Sequence, residues 1–440
     1  MMNAEIRQIR TAAEQALLDA FASGREKLVG VQGERADAFR MFEEAGLPHR
    51  RVEEWKYTDL RALMRDAKPL AARPDAAMLK AVRKGGLLAG VDARRLTLVN
   101  GAFVPELSDL GGLEPGLSIT SLAAALAKGG DAVSGIGRTV PTQDIAVALN
   151  TAFMTDGVVI RVADGARIAR PIVLAHCFVG EAAAVFTRSL VAAGKDARLS
   201  LIELFEGPTD VDYQVNAGLE ITVGDHASVD HVAINLEGGR ALHLNSAMVR
   251  VGTAAQFSDF AYTIGSAVTR KQLFLRLAGE GTKAAVRGAN LLNRRQHVDT
   301  TMVVDHAVAH CESRELFKSV LDDESRYVFQ GKIIVQPGAQ KTDGKMAAHA
   351  LLLSENAEAD SKPELEIFAD DVVCGHGATV GALDEDLLFY LRARGIPQKE
   401  AEALMVQAFV GEAIEAIENE TVREALFGAT EAWLKARGGK

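Results

Sequence analysis

Four segments between residues 157 and 264 carry the clearest structural pattern of this chain. Each is rich in β-branched and aliphatic residues, and Gly or Asp residues separate them: GVVIRVADGARIARPIVL (157–174), DARLSLIELF (196–205), HASVDHVAINL (226–236) and AAQFSDFAYTI (254–264). Such runs, bounded by turn residues, predict β-strands. The centre of the chain is therefore predicted to consist of short strands with no helix between them.

A small residue recurs at the start of the predicted strands. Its first five positions are separated by 31, 30, 28 and 29 residues: Ala166, Ala197, Ala227, Ala255 and Ala284. A gap of 42 residues leads to Arg326, and a further 31 lead to Ala357. Stacked turns of a β-solenoid produce a period of ~30 residues, because each turn repeats one path and buries its apolar side chains on the next. An irregular antiparallel sheet is the alternative.

Helical patterns flank this β-rich centre. Near the N-terminus, Ile6, Ala13, Leu17 and Phe21 recur at roughly helical spacing, and a second helix is predicted over residues 34–45. Asn100-Gly101 predicts the tight turn of a hairpin over 96–104. Further helices are predicted over 121–128, 384–394, 397–418 and 421–436.

The predicted fold class is mostly β with flanking α, a β-solenoid between two helical domains. The predicted order is an N-terminal helical domain with a connector (1–95), a transition segment (96–156), the solenoid (157–381) and a C-terminal helical domain (382–440).

Composition argues against several classes of protein. A net charge of −10 disfavours binding to nucleic acid or to an anionic membrane. No apolar, uncharged stretch reaches the 18 residues of a membrane span. The three cysteines are far apart and form no CxxC pair, which favours a reducing, cytoplasmic location.

Motifs of common enzyme classes are missing from the sequence. It contains no GxSxG nucleophile elbow and no GxxxxGK[ST] phosphate loop. We therefore expect a non-catalytic protein that does not hydrolyse nucleotide itself.

One candidate metal-binding cluster comprises His306, His310 and Cys311. Imidazole and thiolate groups suit zinc or iron. The run around them has an extended pattern, in which the even spacing of the two histidines places both on one face. The competing interpretation is a stacked polar ladder on the solenoid surface.

A second candidate is the pair Cys374 and His376. Their spacing places both side chains on one face of a strand, and Gly375 and Gly377 leave the imidazole unobstructed. Two ligands do not complete a tetrahedral iron site, so a metal here would need ligands from another chain or from a thiol carrier. The alternative is a purely structural pair, a buried cysteine and a surface histidine.

A third candidate site is a surface formed by Phe389, Tyr390, Arg392 and Arg394. Aromatic rings and guanidinium groups are enriched at the centres of protein interfaces. The four residues are predicted to bind a partner, with ordinary packing between domains as the alternative.

Several motifs, in order along almost the whole chain, resemble the SufB/SufD family of iron–sulfur cluster assembly proteins. They are WKYTDL (55–60), ALNTAF (148–153), FQGKIIV (329–335), AQKTDGK (339–345), ADSKPELEI (359–367), ADDVVCGHGATVG (369–381) and LFYLRARGI (388–396). The SufD branch usually carries CxHGAT where the SufB branch carries CxHEA, so Gly377 favours the SufD branch. The resemblance implies a central right-handed parallel β-helix between two helical domains.

The resemblance also implies a function and partners. Family members of this branch pair with SufB and dock the ATPase SufC through their C-terminal helices, and a homodimer is possible when the chain is isolated. The iron–sulfur cluster is transient and shared with SufB, and reduced flavin is associated with the full complex. The matching motif implies that His376 contributes a ligand, while the role of Cys374 is less certain. The rival function is a carbohydrate-active enzyme of the polysaccharide lyase or hydrolase type, since parallel β-helices also host such sites.

Overall fold

The structure is a computed structural model that describes residues 10–82 and 85–438. Ile6, part of the first predicted helical pattern, lies outside these residues. The helices of the N-terminal part are α1 (Ala12–Gly24), α2 (Gln32–Ala45), α3 (Leu60–Leu63), α4 (Ala76–Ala81), α5 (Leu122–Lys128) and α6 (Ile145–Phe153).

Local capping explains where the first helices begin and end. A capping box opens α1, since the Thr11 side chain accepts from the Glu14 N–H and the Glu14 side chain accepts from the Thr11 N–H. Helix α2 stops at Gly46, whose φ of +73° is a left-handed value that glycine adopts without steric cost. Both predicted N-terminal helices are confirmed over the described residues.

The strands follow the predicted pattern of many short elements. They are β1 (Arg94–Val99), β2 (Ala102–Phe103), β3 (Leu117–Ser121), β4 (Val158–Val162), β5 (Ile172–Cys177), β6 (Ala184–Ala193), β7 (Arg198–Glu206), β8 (Gln214–Val223), β9 (Ser228–Leu236), β10 (Leu242–Val251), β11 (Gln256–Thr263), β12 (Val268–Leu277), β13 (Lys283–Leu292), β14 (His297–His306), β15 (Glu312–Leu321), β16 (Arg326–Val335), β17 (Asp343–Leu352), β18 (Glu358–Ile367) and β19 (Val373–Gly381).

From β4 onwards, successive strands alternate between two parallel sheets. One sheet has the order β19-β17-β15-β13-β11-β9-β7-β5-β1-β2, and the other has β18-β16-β14-β12-β10-β8-β6-β4-β3. Each turn of the chain thus adds one strand to each sheet, and the turns stack into a solenoid of about eight turns. This confirms the predicted β-solenoid and rules out the antiparallel alternative. Both sheets already contain strands upstream of residue 157.

The recurring positions mark strands of the ten-stranded sheet up to Ala284 and strands of the nine-stranded sheet from Arg326 onwards. Ala197, Ala227 and Ala255 directly precede β7, β9 and β11, whereas Arg326 and Ala357 mark β16 and β18 of the second sheet. The gap of 42 residues therefore includes a crossing between sheets. Ala284 is in register with Phe257, two positions beyond Ala255, so it belongs to a different column, which continues through Ser313 to Gly344.

The two faces of each sheet pack against different layers. Side chains at alternate positions, such as Leu201, Leu219 and Phe329, fill the space between the sheets, which we call the lumen. The outer face of the ten-stranded sheet packs on the C-terminal helices. The outer face of the nine-stranded sheet packs on α1, α2 and α6. Because both faces are covered, the strands are apolar on both sides.

The WKYTDL segment anchors the N-terminal domain to the nine-stranded sheet. The guanidinium of Arg270 lies 3.8 Å from the centre of the Trp55 ring, and the indole N–H donates to Asp144 at 2.9 Å. Thr58 donates to Asp299, which also forms a fully buried ion pair with Arg270. The motif therefore has a structural explanation, because its side chains satisfy charges buried against the sheet.

Three helices end the described chain: α7 (Glu385–Ala393), α8 (Gln398–Ile414) and α9 (Glu420–Gly438). Helix α8 ends four residues earlier than the predicted Glu418. Beyond Ile414 the hydrogen bonds tighten to three-residue turns, since the Ala416 N–H donates to Ala413 and the Ile417 N–H to Ile414. Asn419 then caps the next helix, because its side chain accepts from the Val422 N–H at 3.0 Å.

Candidate functional site

The last turn of the solenoid, formed by β18 and β19, is open, and we call it the open end. Each of these strands is the outermost of its sheet, so one edge of each has no neighbouring strand within the described residues. Neither strand contains a buried residue. The open end exposes apolar side chains of Ile367, Val373 and Val380, and Phe368 follows directly.

Cys374 and His376 lie together on β19 at this open end. Their partners in register on β17 are Gly344 and Met346, and Met346 belongs to the buried lumen cluster. Both candidate ligands therefore point to the lumen side of the last turn, which confirms that they share one face. Cys374 is half-buried against the lumen core, whereas His376 is exposed.

The surroundings of His376 are uncrowded. His376 itself is exposed, and on the opposite face of the strand a Cβ atom added at Gly375 or at Gly377 would meet no heavy atom within 4 Å. Burial raises the pKa of the neighbouring Cys374 thiol, which keeps it protonated until a metal or a base takes the proton.

A polar group lies in the lumen beneath this pair. A Cβ atom at Gly344 would lie 3.5 Å from Ser313 Oγ and 3.6 Å from Cys374 Sγ, so the glycine leaves a gap between them. Next to Ser313, Glu315 is buried, and its carboxylate oxygens have no hydrogen-bond partner. Burial raises the pKa of Glu315 to about 8. This acid was not among the residues predicted from the sequence, since the same face of β15 also carries Ser313 and Ser319 and shows no clear apolar pattern.

The predicted cluster of His306, His310 and Cys311 does not converge in the structure. His306 ends β14 and faces the lumen, where its Nε2 is hydrogen-bonded to Ser313 Oγ at 2.9 Å. Cys311 is buried in the lumen core, and its thiol donates to the Gly279 carbonyl at 3.3 Å. His310 is exposed in a turn with φ of +60°.

Two interpretations of that cluster need correction. The prediction that both histidines share one face of an extended run is wrong, because the chain turns immediately after His306. The alternative of a surface ladder also fails for His306, which is fully buried. Burial lowers the pKa of His306 to about 4, so its imidazole is neutral at pH 7. Metal binding by these residues remains an untested prediction.

A buried polar ladder that was not predicted from the sequence runs through the lumen. His231 Nδ1 lies 2.6 Å from Asp259, and its Nε2 lies 3.4 Å from Glu203. His176 and Lys271 extend the ladder at its two ends, 3.5 Å from Glu203 and 3.4 Å from Asp259. Burial alone would raise the pKa of Glu203, but the two imidazoles hold it below its ordinary value. A recurrence of 28 residues, from 203 to 231 to 259, was the available signal.

The four predicted partner-binding residues lie on or next to α7. Helix α7 buries none of its residues, and Phe389 is 72% exposed. The Arg394 guanidinium lies 4.1 Å from the centre of the Tyr390 ring, which holds the two side chains together. The four side chains form an exposed surface.

Two negative findings apply to residues 10–82 and 85–438. No group of three or more His, Cys, Asp or Glu side chains in this part of the chain is arranged to hold a metal ion. In the same residues, no helix has both the length and the apolar character needed to cross a membrane.

Comparisons with known proteins agree with the sequence motifs. The family model described as SUF system FeS cluster assembly, SufBD core domain, matches residues 176–409, and that of the SufBD protein N-terminal region matches residues 13–174. The carbohydrate-active alternative gains no support from these matches.

Curated relatives share most of the chain. The iron–sulfur cluster assembly protein SufD of Escherichia coli is 31% identical over 386 residues, 86% of this chain and 87% of the relative. A SufBD family iron–sulfur cluster assembly protein of Synechocystis is 29% identical over 93% of this chain and 92% of its own length. SufD of Bacillus subtilis is 26% identical over 66% of each chain. The chain therefore belongs to the SufBD family of SUF-system iron–sulfur cluster assembly proteins.

Proposed function

We propose that this chain is a non-catalytic scaffold subunit of the SUF complex, which pairs with SufB and presents His376 to a cluster under assembly. The observation that carries this proposal is the position of His376, exposed on the lumen side of the last turn. No further turn of the described chain covers it. A second protein at this end would meet the imidazole directly.

The open end suits a partner that is itself rich in strands. The free edges of β18 and β19 carry unpaired backbone N–H and C=O groups, which a strand of another chain satisfies by continuing the sheet. The exposed side chains of Phe368 and Val373 supply apolar area beside these edges. A SufB subunit with the same solenoid fold would meet both requirements, and a second copy of this chain is the expected occupant when SufB is absent.

The cluster is cargo in this proposal and is not a resident cofactor. His376 supplies one imidazole and Cys374, more weakly, one thiolate, so the remaining ligands come from SufB or from a thiol carrier. An imidazole among thiolates binds iron less tightly than a full thiolate set, which suits a scaffold that must release its product. Reduced flavin, if the complex uses it, would supply electrons.

The C-terminal helices are the proposed docking site for the ATPase SufC. The exposed surface of Phe389, Tyr390, Arg392 and Arg394 combines apolar area with two cations that can bind acidic groups. Nucleotide binding on SufC would then favour one of two arrangements of the complex. The proposed location of this assembly is the cytoplasm.

The experiment is co-expression of the tagged chain with SufB and SufC, followed by measurement of iron and acid-labile sulfide on the purified complex. We expect both partners to co-purify. His376→Ala should reduce iron and sulfide by roughly tenfold, as expected for the loss of a metal-site residue. His226→Ala is the matched control, because His226 is an exposed histidine in a turn far along the chain from the open end. Unchanged iron and sulfide in the His376 variant would refute the ligand role.

A further inference from the structure

Three side chains stand next to each other on the outer face of the ten-stranded sheet, on its last three strands. Lys318 of β15 is in register with His349 of β17, and His349 is in register with Thr379 of β19. This column lies on the opposite face of β19 from His376. It reaches from the helices that cover the sheet to the strand that carries the proposed ligand.

Lys318 attaches one end of the column to α8. Its Nζ lies 2.6 Å from the Glu412 carboxylate and 4.7 Å from the centre of the Phe409 ring. The lysine side chain is only 8% exposed. A nearly buried ammonium is costly without partners, so α8 is held at this point of the sheet by charge and by cation–π attraction.

His349 attaches the other end to β19. Its Nδ1 is hydrogen-bonded to Thr379 Oγ1 at 2.7 Å. Partial burial and the charge of Lys318 lower the pKa of His349, and the Glu412 carboxylate opposes this shift only in part, so the imidazole is neutral at pH 7. His349 thus lies in register with Lys318 on one side and is hydrogen-bonded to Thr379 of the last strand on the other.

We infer that Lys318, His349 and Thr379 couple the position of α8 to the position of β19, and that His349 is a positioning residue for His376. This inference rests on the proposed function in one respect, the role given to His376. The coupling itself is a property of the isolated chain. Movement of α8 on binding of a partner would change the support of β19 from its outer face, and the imidazole on the inner face would move with the strand.

Hydrogen exchange of the full-length chain tests the coupling without any partner or cluster. Thr379→Val and His349→Leu each remove one hydrogen bond, so we expect exchange in β19 to rise by roughly 2- to 10-fold. His349→Asn should stay close to the parent rate, because the Asn amide places a hydrogen-bonding atom near the position of the imidazole Nδ1. Exchange in β9, measured in the same samples, reports on global unfolding.

A double-mutant cycle decides whether α8 and β19 are coupled. Glu412→Gln, which removes the partner of Lys318 on α8, should raise exchange in β19, and this effect should shrink in the His349→Leu background. The inference is overturned if Glu412→Gln leaves β19 unchanged, if the two effects are simply additive, or if β9 and β19 rise together. A positive cycle with normal iron and sulfide in His376→Ala would leave the coupling intact and remove the proposed ligand role.

Discussion

The two ends of the solenoid are built differently. At the first end, β1 is almost entirely buried, and short antiparallel partners, β2 and β3, lie beside β1 and β4. The turn between β1 and β2 uses Asn100 and Gly101, both at positive φ, which confirms the predicted hairpin. At the last end, β18 and β19 contain no buried residue, and within the described residues no strand pairs with their outer edges.

Because of this difference, we expect the residues that stabilise the fold and the residues that bind a partner to lie in different parts of the solenoid. A solenoid needs a cap at each end, because its last turn would otherwise expose the apolar interior and unpaired backbone groups. The chain supplies the first cap itself. At the second end, the proposed cap is a partner subunit, and the candidate ligands Cys374 and His376 lie at that boundary. We call the solenoid turns before the open end the closed body. Substitutions in the closed body should therefore affect unfolding, and substitutions at the open end should affect assembly.

The largest expected effect is that of Arg270→Ala in the closed body. The variant leaves Asp299 buried without its ion-pair partner and removes the contact with Trp55, so we expect a loss of about 3–5 kcal/mol in the free energy of unfolding. Glu366→Ala at the open end removes a partly exposed pair with Lys332 and should cost less than about 1 kcal/mol. Urea titrations measure both values, and equal losses would contradict the distinction.

Glu315→Gln tests the lumen just below the open end, where Glu315 is buried. Its folded pKa of about 8 is above the unfolded value of 4.5, so the unfolded chain releases a proton first and stability falls as pH rises between these values. Glutamine does not ionise, so the variant should be more stable than the parent at pH 7, by up to ~3 kcal/mol.

Thermal unfolding between pH 4 and 9 checks this prediction. The gain of the Glu315→Gln variant should be near zero at pH 4, grow with pH, and become constant above the folded pKa. A variant that is less stable at pH 7 would show that the carboxylate is paired in solution.

The smallest expected effect comes from a matched pair of valines on lumen-facing positions. Val229→Ala removes two methyl groups from the packed lumen and should cost about 2 kcal/mol. Val380→Ala makes the same chemical change at the open end, where the side chain is 48% exposed, and should cost less than about 0.5 kcal/mol. Similar shifts in the urea midpoint of the isolated chain would show that this end is already covered.

The sequence predicted the helices, strands and turns more accurately than it predicted which side chains face the lumen. The period of the small residues, Asn100-Gly101 and the two-residue spacing of Cys374 and His376 each act locally, so their structural consequences could be predicted directly. His306 could not be placed, because a parallel strand covered on both sides is apolar on both sides and does not show which face is the lumen. The Glu203, His231 and Asp259 ladder was missed for the same reason.

Local periodicity and turn chemistry were enough to predict the stacked turns, the flanking helices and the shared face of Cys374 and His376. The tertiary structure decided which turn is last and which side chains meet across the lumen. Those facts depend on the register between strands about thirty residues apart, and register arises from packing over the whole sheet.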